Sequence, residues 1–229
     1  MILLLFGPPG SGKGTQARLI SQWLGIPSVS TGDLLRAEVA SGSPLGVQLE
    51  TLLSAGQYVP DALVNQIVVN QLEHSADGII LDGYPRTEEQ AEFLKKALSE
   101  RNIPEAIAVH LEVSDTAIVA RLGARRVCPN CRRVYSLVQN PPKKAGLCDD
   151  CQSQLVTRSD DTPETVLQRL RTYANLTAPI FAHFHNNLPI NGNQKPEDVF
   201  SEIQEAIAQV PDWVSENTRL AISPTSCAT

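Results

Sequence analysis

Apolar and polar positions follow two distinct patterns along this chain. An uninterrupted apolar run, Met1 to Phe6, opens the sequence, and short apolar runs then alternate with segments that have the spacing of amphipathic helices. We expect strands at the opening run and at 27–29, 78–81, 106–111 and 188–190. We expect helices at 13–24, 31–40, 45–55, 62–74, 88–99, 115–123, 164–185 and 196–209. This order indicates an α/β fold in which helices cover both faces of a parallel sheet.

Two stretches depart from the alternation. Residues 127–161 are rich in Cys, Pro and Gly, have no helix-length periodicity and are expected to be an insertion. Residues from about 212 onward carry no pattern and are expected to form a loosely held, flexible tail. The opening apolar run is too short for a membrane span and lacks the basic segment of a signal peptide. We therefore expect a cytoplasmic protein with no membrane partner.

Composition narrows the class of protein further. With 42% hydrophobic and 19% charged residues, the 229-residue chain is typical of a globular protein and unlike a disordered or membrane-embedded one. A net charge of -6 argues against broad electrostatic binding to nucleic acid or anionic lipid. Eight arginines nevertheless lie between positions 121 and 171. They form either a local anion site or an ordinary solvated helix face.

The opening strand leads directly into Gly7-Pro-Pro-Gly-Ser-Gly-Lys13-Gly14-Thr15. The spacing G-x-x-x-x-G-K between a strand and a helix predicts a loop whose backbone N–H groups converge on phosphates. Lys13 would add an ammonium group at the β- and γ-phosphates, and the alternative is a Gly-rich turn without a ligand. Gly14 stands where Ser or Thr is usual, so the hydroxyl expected at Mg²⁺ is displaced by one residue, to Thr15.

Two further segments each carry an arginine, and the second of them ends where ligands bind in open α/β sheets. Ser30-Thr-Gly-Asp-Leu-Leu-Arg36 places Thr31 ahead of a helix and Arg36 within it. Leu81-Asp-Gly-Tyr-Pro-Arg86 leaves a predicted strand and delivers Arg86, and then Gln90, to the carboxyl edge of the sheet. Taken alone, the first segment also fits a capped helix with a solvent-facing arginine, and the second fits an ordinary turn.

Four cysteines stand in two C-x-x-C pairs. Cys128 and Cys131 form the first pair, Cys148 and Cys151 the second, and sixteen residues separate the pairs. This spacing predicts a structural zinc site with four thiolate ligands. A chain without an export signal is not expected to form disulfides, and a redox C-x-x-C would not need a second copy. A zinc ribbon that binds nucleic acid is the alternative use of the same motif.

In combination these segments resemble the adenylate kinases, a nucleoside monophosphate kinase family of the P-loop class, and their long, metal-bearing form in particular. The flanks of the cysteine pairs, Arg125-Arg126-Val127 and Thr157-Arg158-Ser-Asp-Asp161, contribute to the resemblance, which covers residues 1 to about 210. It implies a three-layer αβα fold with a parallel central sheet. It also implies one P-loop kinase domain with a core of 1–29, 60–125 and 162–211, an AMP-binding insertion at 30–59, a zinc lid at 126–161 and the tail at 212–229.

The family's activity is the reversible, Mg²⁺-dependent conversion of ATP and AMP into two ADP, which serves adenine nucleotide homeostasis and nucleotide biosynthesis. The resemblance implies this activity in a monomer without a nucleic-acid partner. Transfer between two nucleotides needs no side-chain nucleophile or base, because the acceptor phosphate is already ionised. A near relative would use GTP as the donor or another monophosphate as the acceptor. A protein of a different class would be a zinc-ribbon ATPase that binds nucleic acid.

Residue by residue, the resemblance implies two nucleotide sites that share a catalytic set. The catalytic set would be Lys13, Arg86, Arg125, Arg158 and Arg169. The ATP site would comprise Gly10, Ser11, Gly12, Lys13, Gly14, Thr15, Arg121, Arg125, Val134, Tyr135 and Gln194. The AMP site would comprise Thr31, Arg36, Gln57, Tyr58, Val59, Gly83, Tyr84, Pro85, Arg86, Gln90, Arg158 and Arg169.

Four of these implied positions carry more specific expectations. The Gln90 amide would read the adenine edge, since an amide donates and accepts in one plane. Asp82 would orient waters around Mg²⁺, which prefers oxygen ligands. Tyr84 stands where the family more often has Phe, a change that keeps the ring. Gln194 stands where many relatives have Lys, so a backbone contact is expected there.

Overall fold

The computed structural model describes residues 1–54, 57, 59–75, 77–131, 133–158 and 161–211. Its strands are β1 (Ile2–Phe6), β2 (Ser28–Ser30), β3 (Ile79–Asp82), β4 (Ile107–Glu112), β5 (Arg125–Val127), β6 (Val134–Ser136) and β7 (Asn187–Asn191). Its α-helices are α1 (Lys13–Leu24), α2 (Thr31–Ala40), α3 (Pro44–Ser54), α4 (Asp61–Glu73), α5 (Glu88–Glu100), α6 (Asp115–Gly123), α7 (Pro163–Thr172) and α8 (Pro196–Ala208).

Five parallel strands form the central sheet in the order β2-β3-β1-β4-β7. The first strand of the chain lies in the middle, paired with β3 on one side and β4 on the other. Because all five strands run in the same direction, the loops after β1, β2 and β3 meet at one edge. The sequence prediction of a parallel sheet is confirmed. In open α/β sheets, ligands bind at the edge formed by the carboxyl ends of the strands.

The side chains of β1 divide between two cores. Leu4 and Phe6 pack with α4, α5 and the segment that carries Phe184, whereas Leu3 and Leu5 pack with α1 and α8 on the opposite face. All four side chains are at most 2% exposed. Complete burial of one such side chain contributes about 1.5–3 kcal/mol. The strand is therefore held from both faces, and the three-layer αβα architecture expected from the sequence is confirmed.

The prediction of one helix over 164–185 is wrong. Helix α7 ends at Thr172, a π-helical turn follows over Tyr173–Thr177, and a 3-10 helix follows over Ala178–His183. Pro179 explains the break, because it has no N–H to donate and its ring clashes with the carbonyl four residues earlier. The break turns Phe181 and Phe184 toward the sheet, where their ring centroids lie 5.9 and 5.8 Å from that of Phe6.

The inserted segment around the cysteines has a small sheet of its own. Strands β5 and β6 pair antiparallel, and Val127 also bridges to Val156. Cys128, Tyr135 and Cys148 are buried at its centre. The three-residue strands are too short for a periodicity argument to detect them. So few buried apolar side chains make this lobe a structure that needs additional support.

Two more features of the described residues bear on function. No helix among them combines the length and the apolar character needed to cross a bilayer. Helices α2 and α3 pack so closely that a Cβ added at Gly46 would lie 2.3 Å from the backbone oxygen of Glu38. This close approach holds together the two helices of the segment between β2 and β3.

We therefore expect Gly46→Ala to destabilise the chain by about 1–3 kcal/mol, because the backbone of α2 must shift to admit one methyl group. Urea unfolding followed by circular dichroism measures the change. Gly123→Ala is the matched control, since a Cβ at this helical glycine meets no atom within 4 Å. Equal stability of the two variants would contradict the close packing of α2 against α3.

Candidate active site

One cleft opens at the carboxyl edge of the parallel sheet. It is lined by residues of the glycine loop, the strand ends, the cysteine lobe and helix α7. Among the residues predicted from the sequence, those that line the cleft are Gly10, Gly12, Lys13, Gly14, Thr15, Arg36, Gln57, Asp82, Gly83, Pro85, Arg86, Arg121, Arg125, Val134, Tyr135, Arg158 and Arg169. The structure thus gathers into one cavity predicted residues that lie up to 159 positions apart in the chain.

Several other predicted residues lie in the walls or away from the cleft. Thr31 donates to the carbonyl of Gly83 at 2.9 Å, and the Tyr84 hydroxyl donates to Asn65 Oδ1 at 2.7 Å. Ser11, Val59 and Gln90 are also buried behind the surface. The amide of Gln194 donates to Glu202 and to the Asn191 carbonyl, outside the cavity lining. Tyr58 lies outside the described residues.

The loop after β1 has the backbone conformation that a phosphate-binding loop requires. Gly10 and Gly12 have φ angles of 83° and 102°, which L side chains rarely adopt. Gly12 is the N-cap of α1, so the N–H groups of the first turn face the cleft. The Arg121 guanidinium fixes the loop from outside, with Nη1 donating to Ser11 O at 3.1 Å and Nη2 to Gly192 O at 2.7 Å.

Lys13 bends back over the loop that precedes it. Its Nζ donates to the carbonyls of Gly7 at 2.7 Å and Pro8 at 3.0 Å. Burial lowers the pKa of Lys13 to about 8 and outweighs the opposing attraction of the Asp82 carboxylate, while nearby arginines lower it further. Lys13 therefore loses its positive charge at a lower pH than an ordinary lysine does.

Asp161 holds two of the cleft arginines. Its carboxylate accepts two hydrogen bonds from Arg125, one of them from Nε at 2.7 Å, and Arg169 Nη1 lies 3.5 Å from Oδ1. The Asp161 side chain is fully buried, and those of Arg125 and Arg169 are only 13% and 21% exposed. The side chains of Arg125 and Arg169 are therefore not part of a solvated helix face.

Asp33 pairs with two further arginines on the other side of the cleft. It forms an ion pair with Arg36 on its own helix, and Arg158 Nη2 lies 3.6 Å from its Oδ1. Burial alone would raise the pKa of Asp33, but the Arg36 guanidinium, helped by Arg158, keeps it below the usual value. Asp33 therefore stays ionised and fixes both guanidinium groups in place.

Asp82 stands at the end of β3 near the loop. Burial raises the pKa of its carboxyl group, against the opposing effect of Lys13 and Arg86. A Cβ at Gly14 would lie 3.6 Å from Asp82 Oδ2, so the start of α1 lies in van der Waals range of the carboxylate. With the Thr15 side chain also on the cleft lining, the site offers oxygen donors of the kind that a hard cation prefers.

The four cysteines of the two C-x-x-C pairs form one cluster, whose Sγ atoms all lie within 4.8 Å of one another. The Sγ atoms of Cys128 and Cys151 are 3.3 Å apart, and those of Cys131 and Cys148 are 3.4 Å apart. None of the four cysteines is in a disulfide. A tetrahedral zinc with Zn–S bonds of about 2.3 Å would place its sulfurs about 3.8 Å apart. The donor set and its spacing fit zinc.

Sequence reasoning missed several residues at the site. It did not identify Asp33 and Asp161 as partners of the arginines, although both stand within three residues of one of them. It also missed Tyr173, Thr177 and Asn140 of the cysteine lobe, which line the cleft. An aspartate three residues from an arginine was the only sequence feature that could have indicated these ion pairs. Which arginines each aspartate contacts depends on the fold.

Comparisons with known proteins lead to the same family as the resemblance. The family model described as Adenylate kinase matches residues 5–188. An adenylate kinase of Ruminiclostridium cellulolyticum is 42% identical over 212 residues, which are 92% of this chain and 97% of that protein. Adenylate kinases of Petrotoga mobilis and Pyrococcus furiosus are 43% and 40% identical and cover 89% of the chain, with 95% and 94% of their own lengths matched. The glycine loop, the arginine-lined cleft and the four-cysteine lobe thus occur in a chain that belongs to the adenylate kinase family.

Proposed function

We propose that this chain transfers the γ-phosphoryl group of ATP to AMP and forms two ADP in a reversible reaction. The observation that carries the proposal is a single cleft lined by both the glycine loop and the segment with Arg36 and Arg86. Two polyanions can share such a cavity with their phosphates facing each other. We propose that the chain does so as a monomer that acts on free nucleotides.

ATP would bind on the side of the glycine loop. The N–H groups at the start of α1 and the Lys13 ammonium supply donors for the phosphates. Arg121, which already fixes the loop, and the lid residues Val134 and Tyr135 would enclose the base. At Gln194 a backbone contact is the proposed interaction, because its side-chain amide already donates to Glu202.

AMP would bind on the side of α2 and the β3 end. Arg36 and Arg86 would supply guanidinium groups for its phosphate, and Gln57 lines the same cavity. Arg86 is oriented by its own turn, with Nε donating to the Gly83 carbonyl at 2.6 Å. A planar guanidinium offers paired donors to phosphate oxygens, which suits this role.

The transfer step requires alignment and positive charge. A phosphate oxygen of AMP attacks the γ-phosphorus of ATP, and the bond from that phosphorus to the β,γ-bridging oxygen breaks, so that both products are ADP. Arg125, Arg158 and Arg169 would stabilise the charge on the moving phosphoryl group. Asp33 and Asp161 hold these arginines in position.

Adenylate kinases use Mg²⁺ with ATP, and the residues present fit that requirement. Asp82 and Thr15 are the oxygen donors that would hold the hydrated ion. Bound magnesium neutralises part of the charge that develops on the phosphates. The domain boundaries expected from the sequence, with 30–59 on the AMP side and 126–161 as the lid, remain part of this proposal.

The lid residues give the reaction protection from water. Val134, Tyr135 and Asn140 come from the cysteine lobe yet line the same cleft as the glycine loop. A lid that covers bound nucleotides excludes water as a competing acceptor. We propose that a zinc ion at Cys128, Cys131, Cys148 and Cys151 keeps this lobe folded.

A coupled assay tests the proposed activity. AMP, GMP, CMP and UMP are offered in turn with ATP, and ADP and inorganic phosphate are both measured. We expect two ADP per ATP with AMP and little phosphate release, and Lys13→Ala should lose at least about 10²-fold in kcat/KM. Lys96→Ala, a change at an exposed lysine, is the control. Phosphate release that does not depend on AMP, or full activity of Lys13→Ala, would contradict the proposal.

The lowered pKa of Lys13 predicts a pH dependence. Above pH 8 the free chain loses this positive charge, so kcat/KM for ATP should fall about tenfold per pH unit, whereas kcat should persist to higher pH because bound phosphates raise the pKa. This fall in kcat/KM does not result from unfolding of the chain when Lys13 is deprotonated. Because the folded pKa lies below its usual 10.5, deprotonation of Lys13 favours the folded state between pH 8 and 10.5. A kcat/KM that stays constant up to pH 10 would contradict this assignment.

Removal of a zinc ligand tests the metal proposal. We expect the purified chain to hold one zinc ion and Cys128→Ser to hold none. Its melting temperature should fall by about 10 °C, since the lobe loses several kcal/mol of support. Transfer at low temperature should change much less. Cys227→Ser is the matched control and should keep both metal and melting temperature; a wild-type chain without zinc would overturn the proposal.

A further inference from the structure

A closed ring of hydrogen bonds surrounds the side chain of Gln90. Its Nε2 donates to Asp61 Oδ1 at 2.6 Å, and its Oε1 accepts from the backbone N–H of Arg86 at 2.8 Å. The other carboxylate oxygen of Asp61 accepts from the Thr87 hydroxyl at 2.6 Å. Thr87 Oγ1 in turn accepts from the backbone N–H of Gln90 at 3.2 Å. The Gln90 side chain is therefore fixed from both ends.

The hydrogen-bonding partners of the Gln90 amide, Asp61 and the Arg86 N–H, determine where its oxygen and its nitrogen lie. A carboxylate can only accept a hydrogen bond, and a backbone N–H can only donate one. Oxygen must therefore face Arg86 and nitrogen must face Asp61. The reversed amide would bring the Asp61 carboxylate against the amide oxygen, with two acceptors in contact, and the Arg86 N–H against an NH₂ group. The Asp61 carboxylate and the Arg86 N–H together fix the orientation of a group whose two ends are almost equal in shape.

From this ring we infer that Asp61 is a positioning residue that makes the monophosphate site select adenine over guanine. The inference rests on the proposed function, in which Gln90 reads the base of AMP. The Gln90 side chain accepts a hydrogen bond from the backbone N–H of Arg86, and Arg86 lines the cleft. After the two bonds of the ring, the amide still has one N–H and one oxygen lone pair with which to contact a base.

Adenine and guanine demand opposite orientations of that amide. Adenine presents a donor at its exocyclic amino group beside the acceptor N1, whereas guanine presents the acceptor O6 beside the donor N1–H. An amide oxygen that meets the adenine amino group would meet guanine O6, and its NH₂ would meet a second donor. A site that fixes hydrogen-bonding groups rejects a ligand that leaves them unpaired or opposed. An amide free to reverse would accept either purine.

A purely structural role for Asp61 makes a different prediction. Asp61 opens α4, where a negative charge stabilises the helix dipole, and Asp115 occupies the same position in α6. If this charge were the whole role, Asp61→Asn would weaken AMP and GMP alike and Asp115→Asn would act similarly. Only the orienting role separates the two purines. The AMP-to-GMP ratio is therefore the decisive readout.

The test compares the wild-type chain, Asp61→Asn and Asp115→Asn with ATP as the donor. An Asn side chain can turn its own NH₂ toward Gln90, so only the backbone N–H of Arg86 still opposes reversal of the amide, which becomes easier. For Asp61→Asn we expect kcat/KM for AMP to fall, kcat/KM for GMP to hold or rise, and their ratio to drop about tenfold, the size expected for one charge-assisted hydrogen bond. KM for ATP should stay within about twofold of wild type, and Asp115→Asn should keep the wild-type ratio.

A second measurement needs no variant. In the nucleotide-free wild-type chain, NMR should show a Gln90 side-chain amide proton that exchanges with solvent at least about tenfold more slowly than those of exposed Gln48. An unchanged AMP-to-GMP ratio in Asp61→Asn, an equal loss with both purines, or rapid exchange of both Gln90 protons would overturn the inference. A wild-type chain that phosphorylates no AMP would instead refute the proposed function, so the two failures are distinguishable.

Discussion

Repulsion among cations is the constraint on which the rest of the site depends. Within the part of the chain that the structure describes, seven cationic side chains line one cleft: Lys13, Arg36, Arg86, Arg121, Arg125, Arg158 and Arg169. The fold holds them together with carboxylates and carbonyls, as Asp161 does for Arg125 and Gly83 does for Arg86. Burial, together with repulsion from the nearby arginines, lowers the pKa of Lys13 to about 8. A polyanion that enters this cleft relieves the repulsion, so affinity for phosphates follows from the arrangement itself.

The sheet gives this arrangement its rigidity. β1 is buried on both faces and carries the glycine loop directly after Phe6, so the loop starts from a fixed point. Its parallel neighbour β3 ends at the same edge and delivers Asp82 and then Arg86. The two proposed nucleotide sites lie at the same edge of the sheet because β1 and β3 are parallel neighbours. The cysteine lobe adds the third wall, and its few buried side chains explain why a metal would be needed there.

Local signals were sufficient to predict the sheet, the loop and the cysteine cluster. Each of these depends on residues that are close in sequence, such as the glycines before Lys13 or the spacing of Cys128 and Cys131. The pairing of Arg158 with Asp33 joins segments 125 positions apart and has no local signature. The helix break near Pro179 was missed because the apolar spacing continues through it, although the proline removes a backbone donor. Long-range side-chain pairing and backbone breaks were therefore the parts that required the structure.

The most direct measurement of the central claim is the number of nucleotides that the chain holds at once. Calorimetric titration with a non-hydrolysable ATP analogue and with AMP, each alone and then each in the presence of the other at saturation, gives this number. The account predicts one analogue and one AMP bound together on every chain, with affinity for both weakened as salt concentration rises. Competition between the two ligands for a single position, with one nucleotide bound per chain, would contradict it.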